Sequence, residues 1–458
     1  MAEPTVIAPV EAAAVKRRGL KYSGNLRQYG MMIALLLLMV LFTWLTNGLF
    51  VQPRNITLLL VQNGYVLILA IGMVMVIIAG HIDLSVGSVC AFVGATVALA
   101  MKEWNFTWWM AILLGILIGI LVGMWQGFWV AYVGIPAFIV TLAGMLLFRG
   151  LDLMILGAQS IPVPDAFQAI ANGYLPAVGP VTNYHNLTLL LAIAGVGLVI
   201  WLELRNRAGL KKHSMVLPSV FTSVVKVVLL STVIIVFMLL LASYKGIPVV
   251  GLILLALIII YTFVTQKTVV GRHIYAVGGN RNAARLTGVN TKRIDFLVMV
   301  NMSMLAGIAG MVYTAYLNAA NPKDGTGFEL DAIAAVFIGG AAVTGGIGTV
   351  VGSMIGGLVM GVLNLGLANM SVDQNLIQVI KGLVLLGAVA FDVLSKMQGK
   401  PSIIGMIQRG MRRGDANVAI DATPVRAASA APTTGVSNVA ASTNDDAAPG
   451  LVEKNDQQ

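Results

Sequence analysis

Charged residues, cysteine and histidine are scarce in this chain: of 458 residues 10% are charged, four are histidine and one is cysteine. The lone Cys90 excludes an internal disulfide and, set inside an apolar run, reads as a small packing residue. Four scattered histidines offer no metal-ligand spacing, and no nucleophile stands beside a partnered base, so neither a metal centre nor a catalytic group is expected. The phosphate loop G-x-x-x-x-G-K-[ST] is also missing, so ATP is not bound and hydrolysed here in the usual way. Any ATP-driven step has to take its energy from a partner.

What the chain has is apolar surface. With 58% hydrophobic residues and a mean hydropathy of +0.88, it carries more than one soluble core can hide. The fold class is therefore an all-α polytopic membrane protein. The formal net charge of +10 lies in connections between apolar runs and forms no continuous patch, which argues against a nucleic-acid partner and for charge that orients the protein in lipid.

Residues 1–28 form a basic amino terminus with Lys16, Arg17, Arg18, Lys21 and Arg27, and the run from Met31 to Phe50 is too long for a signal-peptide core. At about 20 apolar residues per span, further segments fall at 57–79, 85–101, 107–133, 137–156, 187–204, 220–242, 247–266, 296–317, 331–344, 347–370 and 376–395. The one ending at Thr344 is short enough for a half helix. Connections assigned to the inside hold twenty Lys or Arg against four outside (Arg54, Lys102, Lys245, Lys323), which predicts both termini in the cytoplasm. The membrane-embedded body is thus expected over 29–397. The cytoplasmic tail of 398–458, rich in Ala, Thr, Ser, Pro and Asn, is expected to be disordered from about 414.

Polar residues at membrane depth are the candidate functional groups. His81, Asp83 and Ser85 stand between two apolar runs, where they either face a pathway or, in the case of Asp83, cap the following helix. Asn301, Asn364, Asn369 and Gln378 offer amides either to a polyhydroxylated solute or to a neighbouring helix. Arg149 and Asp152, three apart on one helix face, read as a structural ion pair. Glycines 115, 119, 123 and 127, and again 348, 352 and 356, mark helix faces of close approach. Asp83-Leu84 and Glu329-Leu330, each followed by an apolar run to Gly-Ala, suggest an inverted repeat.

The stretch GRHIYAVGGNRNAARLTGVNTKRID, Gly271 to Asp295, is a long basic connection with a short helix-forming centre from Asn280 to Gly288. It reads either as a topology-setting loop or as a docking element. For docking, Ala283, Ala284 and Gly288 keep bulk low, while Arg281 and Arg285 share a face and meet a partner's carboxylates.

Four stretches together, IDLSVGS (Ile82 to Ser88), GRHIYAVGGNRNAARLTGVN (Gly271 to Asn290), GTGFELDAIAAVFIGG (Gly325 to Gly340) and TGGIGTVVGSMIGG (Thr344 to Gly357), resemble the permease subunits of bacterial ABC monosaccharide importers. The likeness is to the ribose, xylose and multiple-sugar branch, and it runs from about Tyr29 to Met397. It implies about 10–12 transmembrane helices, with an extra pair between Arg205 and Gly246 that favours the longer xylose or multiple-sugar type. It further implies a coupling segment at 271–295, with Gly278, Gly279, Asn280, Arg281, Ala283, Ala284, Arg285 and Gly288 at its heart, set in a groove of an ATPase subunit with two nucleotide-binding domains. The remaining implied partners are a periplasmic sugar-binding protein, a second permease copy as a homodimer, and inner-membrane lipid, with ATP and magnesium used only by the ATPase. The resemblance also sets IDLSVGS beside the central cavity, although the family pattern has glycine where this chain has His81. The expected function is import of a pentose or hexose, such as xylose, by alternating access. The alternatives are an ion-coupled secondary transporter of a small polar solute, which would call for more Asp, Glu or His at membrane depth, and a membrane scaffold without transport.

Overall fold

The computed structural model describes residues 23–180, 182–213, 217 and 219–396; the basic terminus before residue 23 and the tail expectation for 398–458 lie outside them. Among the described residues fifteen α-helices follow one another. They are α1 (Ser23–Leu45), α2 (Pro53–Ile78), α3 (Val86–Glu103), α4 (Trp108–Phe128), α5 (Ala137–Leu156), α6 (Asp165–Asn172), α7 (Asn186–Lys212) and α8 (Val220–Ala242). Then come α9 (Val249–Lys267), α10 (Val269–Gly279), α11 (Arg281–Leu286), α12 (Thr291–Leu317), α13 (Phe328–Ile338), α14 (Val350–Asn369) and α15 (Gln374–Lys396). Among the described residues nine helices are long and apolar enough to cross a membrane, and two more apolar stretches, Gly30–Leu45 and Gln374–Gly387, are shorter. The chain is a multi-pass, all-helical membrane protein.

The centre is α2 against α12. Gly72 abuts Met302 and Leu305 while Gly64 abuts Val312, so residue numbers run in opposite senses and the helices are antiparallel. The glycine stripe of α4 seats α12 on its other side, with Gly115 at Met311, Gly119 at Ser303 and Gly123 at Val300. Gly352 and Gly356 on α14 likewise receive Gly339 and Ala335 from α13. Both small-residue faces are therefore filled within one chain, and close backbone approach is their use here.

Two interruptions shape the middle. Helix α2 closes with Gly80 at φ 87°, its N–H bonded to Ile77 O and that of His81 to Val76 O, the reciprocal pair of a Schellman stop. Residues 81–85 then run without helix, and α3 begins deep in the bundle. His81 lies beside Asp295 at the start of α12, whereas Cys90 Sγ donates to Ala306 O midway along it. The eleven positions from 295 to 306 correspond to roughly 16 Å of helix rise, so the chain turns back inward over that depth. On the other side α12 ends at Asn318, Ala319–Ala320 pairs antiparallel with Ile161–Pro162, and a turn brings Gly325 against Gly87. Helix α13 starts there, with Phe328, Tyr65 and Tyr313 packed as a mutual cluster of three rings. It is 11 residues long, about 16 Å, roughly half a bilayer core. The segment expected to span 331–344 is thus a half helix, completed by the loop 339–349, because the glycine-rich run after Ile338 does not extend it.

Helix α8 lies within the expected insertion of Arg205 to Gly246, whereas its partner α7 begins ahead of it at Asn186; the two pack against each other at the periphery. Thr188 and Ala192 are the buried positions of α7, and Leu190, Ile193, Phe221 and Val220 are exposed. Glu203 accepts from Lys226 and Arg207 donates to Ser223 between them, so the pair is stitched to itself more than to the core.

Candidate functional site

The residues between α2 and α3 form a buried polar layer. Asp83 is fully buried; its Oδ1 accepts from the backbone N–H of Ser85 (2.8 Å) and the Ser85 hydroxyl (2.7 Å). This is the geometry of a carboxylate holding the turn two residues ahead of it, immediately before the first turn of α3. Its second oxygen, Oδ2, has no hydrogen-bond partner among the described residues. Gln126 on α4 donates to Ser85 Oγ at 2.7 Å, and Ser303 on α12 approaches Gln126 Oε1 at 3.5 Å. The layer therefore joins α3, α4 and α12. Gln126 escaped the sequence reading; its signal was a lone amide between Trp125 and Gly127 in an otherwise apolar helix.

The other candidates divide. Asn301 accepts from the Tyr261 hydroxyl and points its amide nitrogen toward Met75 Sδ, so it joins α9, α12 and α2 and stays outside the Asp83 layer. Asn364 lies half-buried on α14, and the amide nitrogen of Asn369 is buried without a partner among the described residues. Gln378 is exposed on α15, away from that layer's hydrogen bonds. Arg149 and Asp152 pair at 3.6 Å on α5, and Arg149 also donates to the backbone carbonyl of Asp324, bracing the turn before α13.

His81 is drawn in a different direction. Its Nε2 lies 2.9 Å from Asp295 Oδ1 on α12, and the Arg281 guanidinium grips the same carboxylate bidentately, at 2.6 and 2.9 Å. A pathway candidate and a docking candidate thus share one buried acid. The Asp295 carboxylate faces a cleft of about 530 Å³ lined by His81, Pro136, Arg281, Arg285 and Lys292. Arg281 is therefore engaged within the chain, where the sequence had offered it to a partner.

The segment 271–295 takes in most of α10, all of α11 and the first turn of α12, and both later helices are capped by asparagine: Asn280 Oδ1 accepts from Ala283 N–H at 2.9 Å and Asn290 Oδ1 from Arg293 N–H at 3.0 Å. Gly278 sits against the last carbonyl of α2, Ile78, which also accepts from Gly346 N–H. The Tyr275 hydroxyl donates to Gly348 O at 2.7 Å, and burial pushes its phenol pKa up, so it remains a donor at neutral pH. Ala284 is 4% exposed and packs inward, so its small size serves the chain's own packing. Gly279 is open, Gly288 takes φ 87°, and Ala283, Arg285 and Leu286 face outward. Leu286, 88% exposed, went unnoticed in the sequence because a single leucine in a polar loop carries no pattern.

Residues 55–389 match the family model described as branched-chain amino acid transport system / permease component. The chain is 38% identical over 377 residues to the xylose transport system permease protein XylH of Haemophilus influenzae, covering 82% of this chain and 98% of that relative. It is 37% identical over 381 residues to the XylH of Escherichia coli, covering 82% and 94%. The ribose import permease protein RbsC of Bacillus subtilis is 32% identical over 382 residues, covering 83% and 98%. No solved structure matches the chain.

Proposed function

Because the chain belongs to the family of branched-chain amino acid transport system permease components, we infer that it is the membrane-spanning subunit of an ATP-driven monosaccharide importer. The observation that carries this is near full-length identity to permeases named for xylose and ribose transport. Identity is higher to the xylose-named relatives, which supports a xylose-like pentose as the cargo. The chain itself is a transport subunit and not an enzyme. ATP and magnesium are used by a separate ATPase subunit with two nucleotide-binding domains. A periplasmic sugar-binding protein delivers the sugar, and a second copy of this chain completes the pore.

The docking element is α10 with α11. Its outward face carries Ala283, Arg285, Leu286 and Gly288, an apolar knob beside a cation that suits a groove with an acidic edge. The charge distribution supports reading that end of the bundle as the cytoplasmic one, with both termini in the cytoplasm of a bacterial cell beneath its inner membrane. His81 and Asn282 then line a cytoplasmic cleft, with Asp83, Ser85 and Gln126 above it as the closed layer along the pathway.

The test is uptake of labelled xylose and ribose in cells that lack their own pentose permeases and express this chain with its ATPase and binding protein. Xylose uptake that stops when ATP hydrolysis is blocked supports the importer. Uptake by this chain alone, abolished by a protonophore, would instead establish the ion-coupled alternative.

A further inference from the structure

We propose that Asp295 is a positioning residue that ties the docking helix α11 to the re-entrant segment after α2, so that a displacement of α11 is passed to His81 and the turn behind it. The proposal rests on the reading of α10 and α11 as the docking element.

Its basis is the shared carboxylate. Asp295 is 3% exposed, and both of its oxygens are held by residues from other segments. Arg281, the first residue of α11, takes Oδ2 at 2.6 Å and Oδ1 at 2.9 Å, and among the described residues this is the ion pair that α11 makes. His81 reaches Oδ1 at 2.9 Å and stands 3.2 Å from Arg281. One ring nitrogen does not donate to a carboxylate and accept from a guanidinium at once. With Nε2–H donating to Asp295, the acid is the joint and the two donors are its arms.

Burial makes the joint stiff. Withdrawing Arg281 would leave a carboxylate sequestered from water with only an imidazole beside it, a costly state, so the arms move together with Asp295. A second connection runs parallel to it: Gly278 of α10 lies on the terminal carbonyl of α2, the helix whose Schellman stop sets the direction of His81. Thus α11 grips the re-entrant segment just after its start and α10 grips the helix just before it. Two residues beyond His81 comes Asp83, whose bonds to Ser85 set the start of α3. The cleft of about 530 Å³ alongside gives the cluster room to shift without steric opposition.

The test compares the wild-type chain with Asp295→Asn and His81→Ala, each assembled with the ATPase and binding protein in proteoliposomes. Sugar transported and ATP hydrolysed are measured together, per amount of assembled complex. The expected result is a fall of at least about fivefold in sugar moved per ATP, a size typical of lost site-to-site coupling. The exchanged pair Arg281→Asp with Asp295→Arg is expected to recover part of that ratio. A purely structural role lowers the amount of complex and scales transport and hydrolysis alike, and an unchanged ratio in both single variants overturns the proposal. Should Asp295→Asn fail to accumulate, His81→Ala alone decides by the same ratio. Failure of the wild-type complex to transport any sugar would count against the importer reading, whereas a working wild type with unchanged ratios counts against the role of Asp295.

Discussion

Gly278 of α10 lies directly on the carbonyl oxygen of Ile78, the last residue of α2, and a β-carbon at 278 would fall far inside van der Waals contact with that oxygen. The neighbouring Gly279 faces open space. Backbone has to give way at the first position and nothing has to at the second.

Gly278→Ala is accordingly expected to destabilise the protein by about 1–3 kcal/mol, the range for an overpacked contact. Gly279→Ala should stay within about 0.5 kcal/mol of wild type, as surface changes do. Thermal unfolding of the two variants purified in the same detergent separates them, and equal midpoints would show that α10 does not bear on α2 as described.

Ala284 and Leu286, two residues apart on α11, are expected to behave oppositely. Ala284 is buried, so Ala284→Trp overpacks the permease itself by about 1–3 kcal/mol. Leu286→Ser removes an exposed apolar side chain, leaving the isolated permease as stable as wild type and weakening its co-purification with the ATPase. Retention of the ATPase by Leu286→Ser at wild-type levels would move the docking surface away from this helix.

These two residues also show where the sequence was legible. Apolar run lengths located the helices, because in lipid each span has to satisfy its own backbone and so announces itself by length. The short run ending at Thr344 pointed at the half helix α13. Periodicity carries no information about which side of a six-residue helix faces inward, so Ala284 and Leu286 could not be told apart. Nor did spacing reveal that Arg281 and His81, two hundred positions apart, meet on Asp295. Such a meeting depends on the re-entrant path of 81–85, which has no sequence period at all.

On the opposite flank Lys381 of α15 holds Asp331 of the half helix α13 at 2.6 Å, both side chains largely buried. Lys381→Met leaves a buried carboxylate unpaired and is expected to cost about 3–5 kcal/mol, whereas the double change Lys381→Met with Asp331→Leu should recover most of it. Unfolding midpoints of the single and double variants measure this. A single variant no worse than the double would mean that water reaches Asp331.

Asp83 provides the sharpest test of what the buried layer does. Its Oδ1 accepts both bonds from Ser85, and an asparagine oxygen accepts the same two. The second oxygen has no partner among the described residues, so an amide nitrogen in its place breaks no existing bond, although it gains none. Asp83→Asn is therefore expected to keep the turn, the stability and most of the sugar uptake. Asp83→Ala strands the Ser85 N–H and hydroxyl in a buried site at about 1–3 kcal/mol. A charge needed in the pathway predicts something else, since Asn would then fold normally and yet transport no better than Ala. The measurement is uptake normalised to the amount of protein in the membrane, with unfolding midpoints of both variants alongside. A stable Asp83→Asn protein without uptake would show that the carboxylate acts on the cargo or its gate in another conformation, where it cannot remain folded back on Ser85.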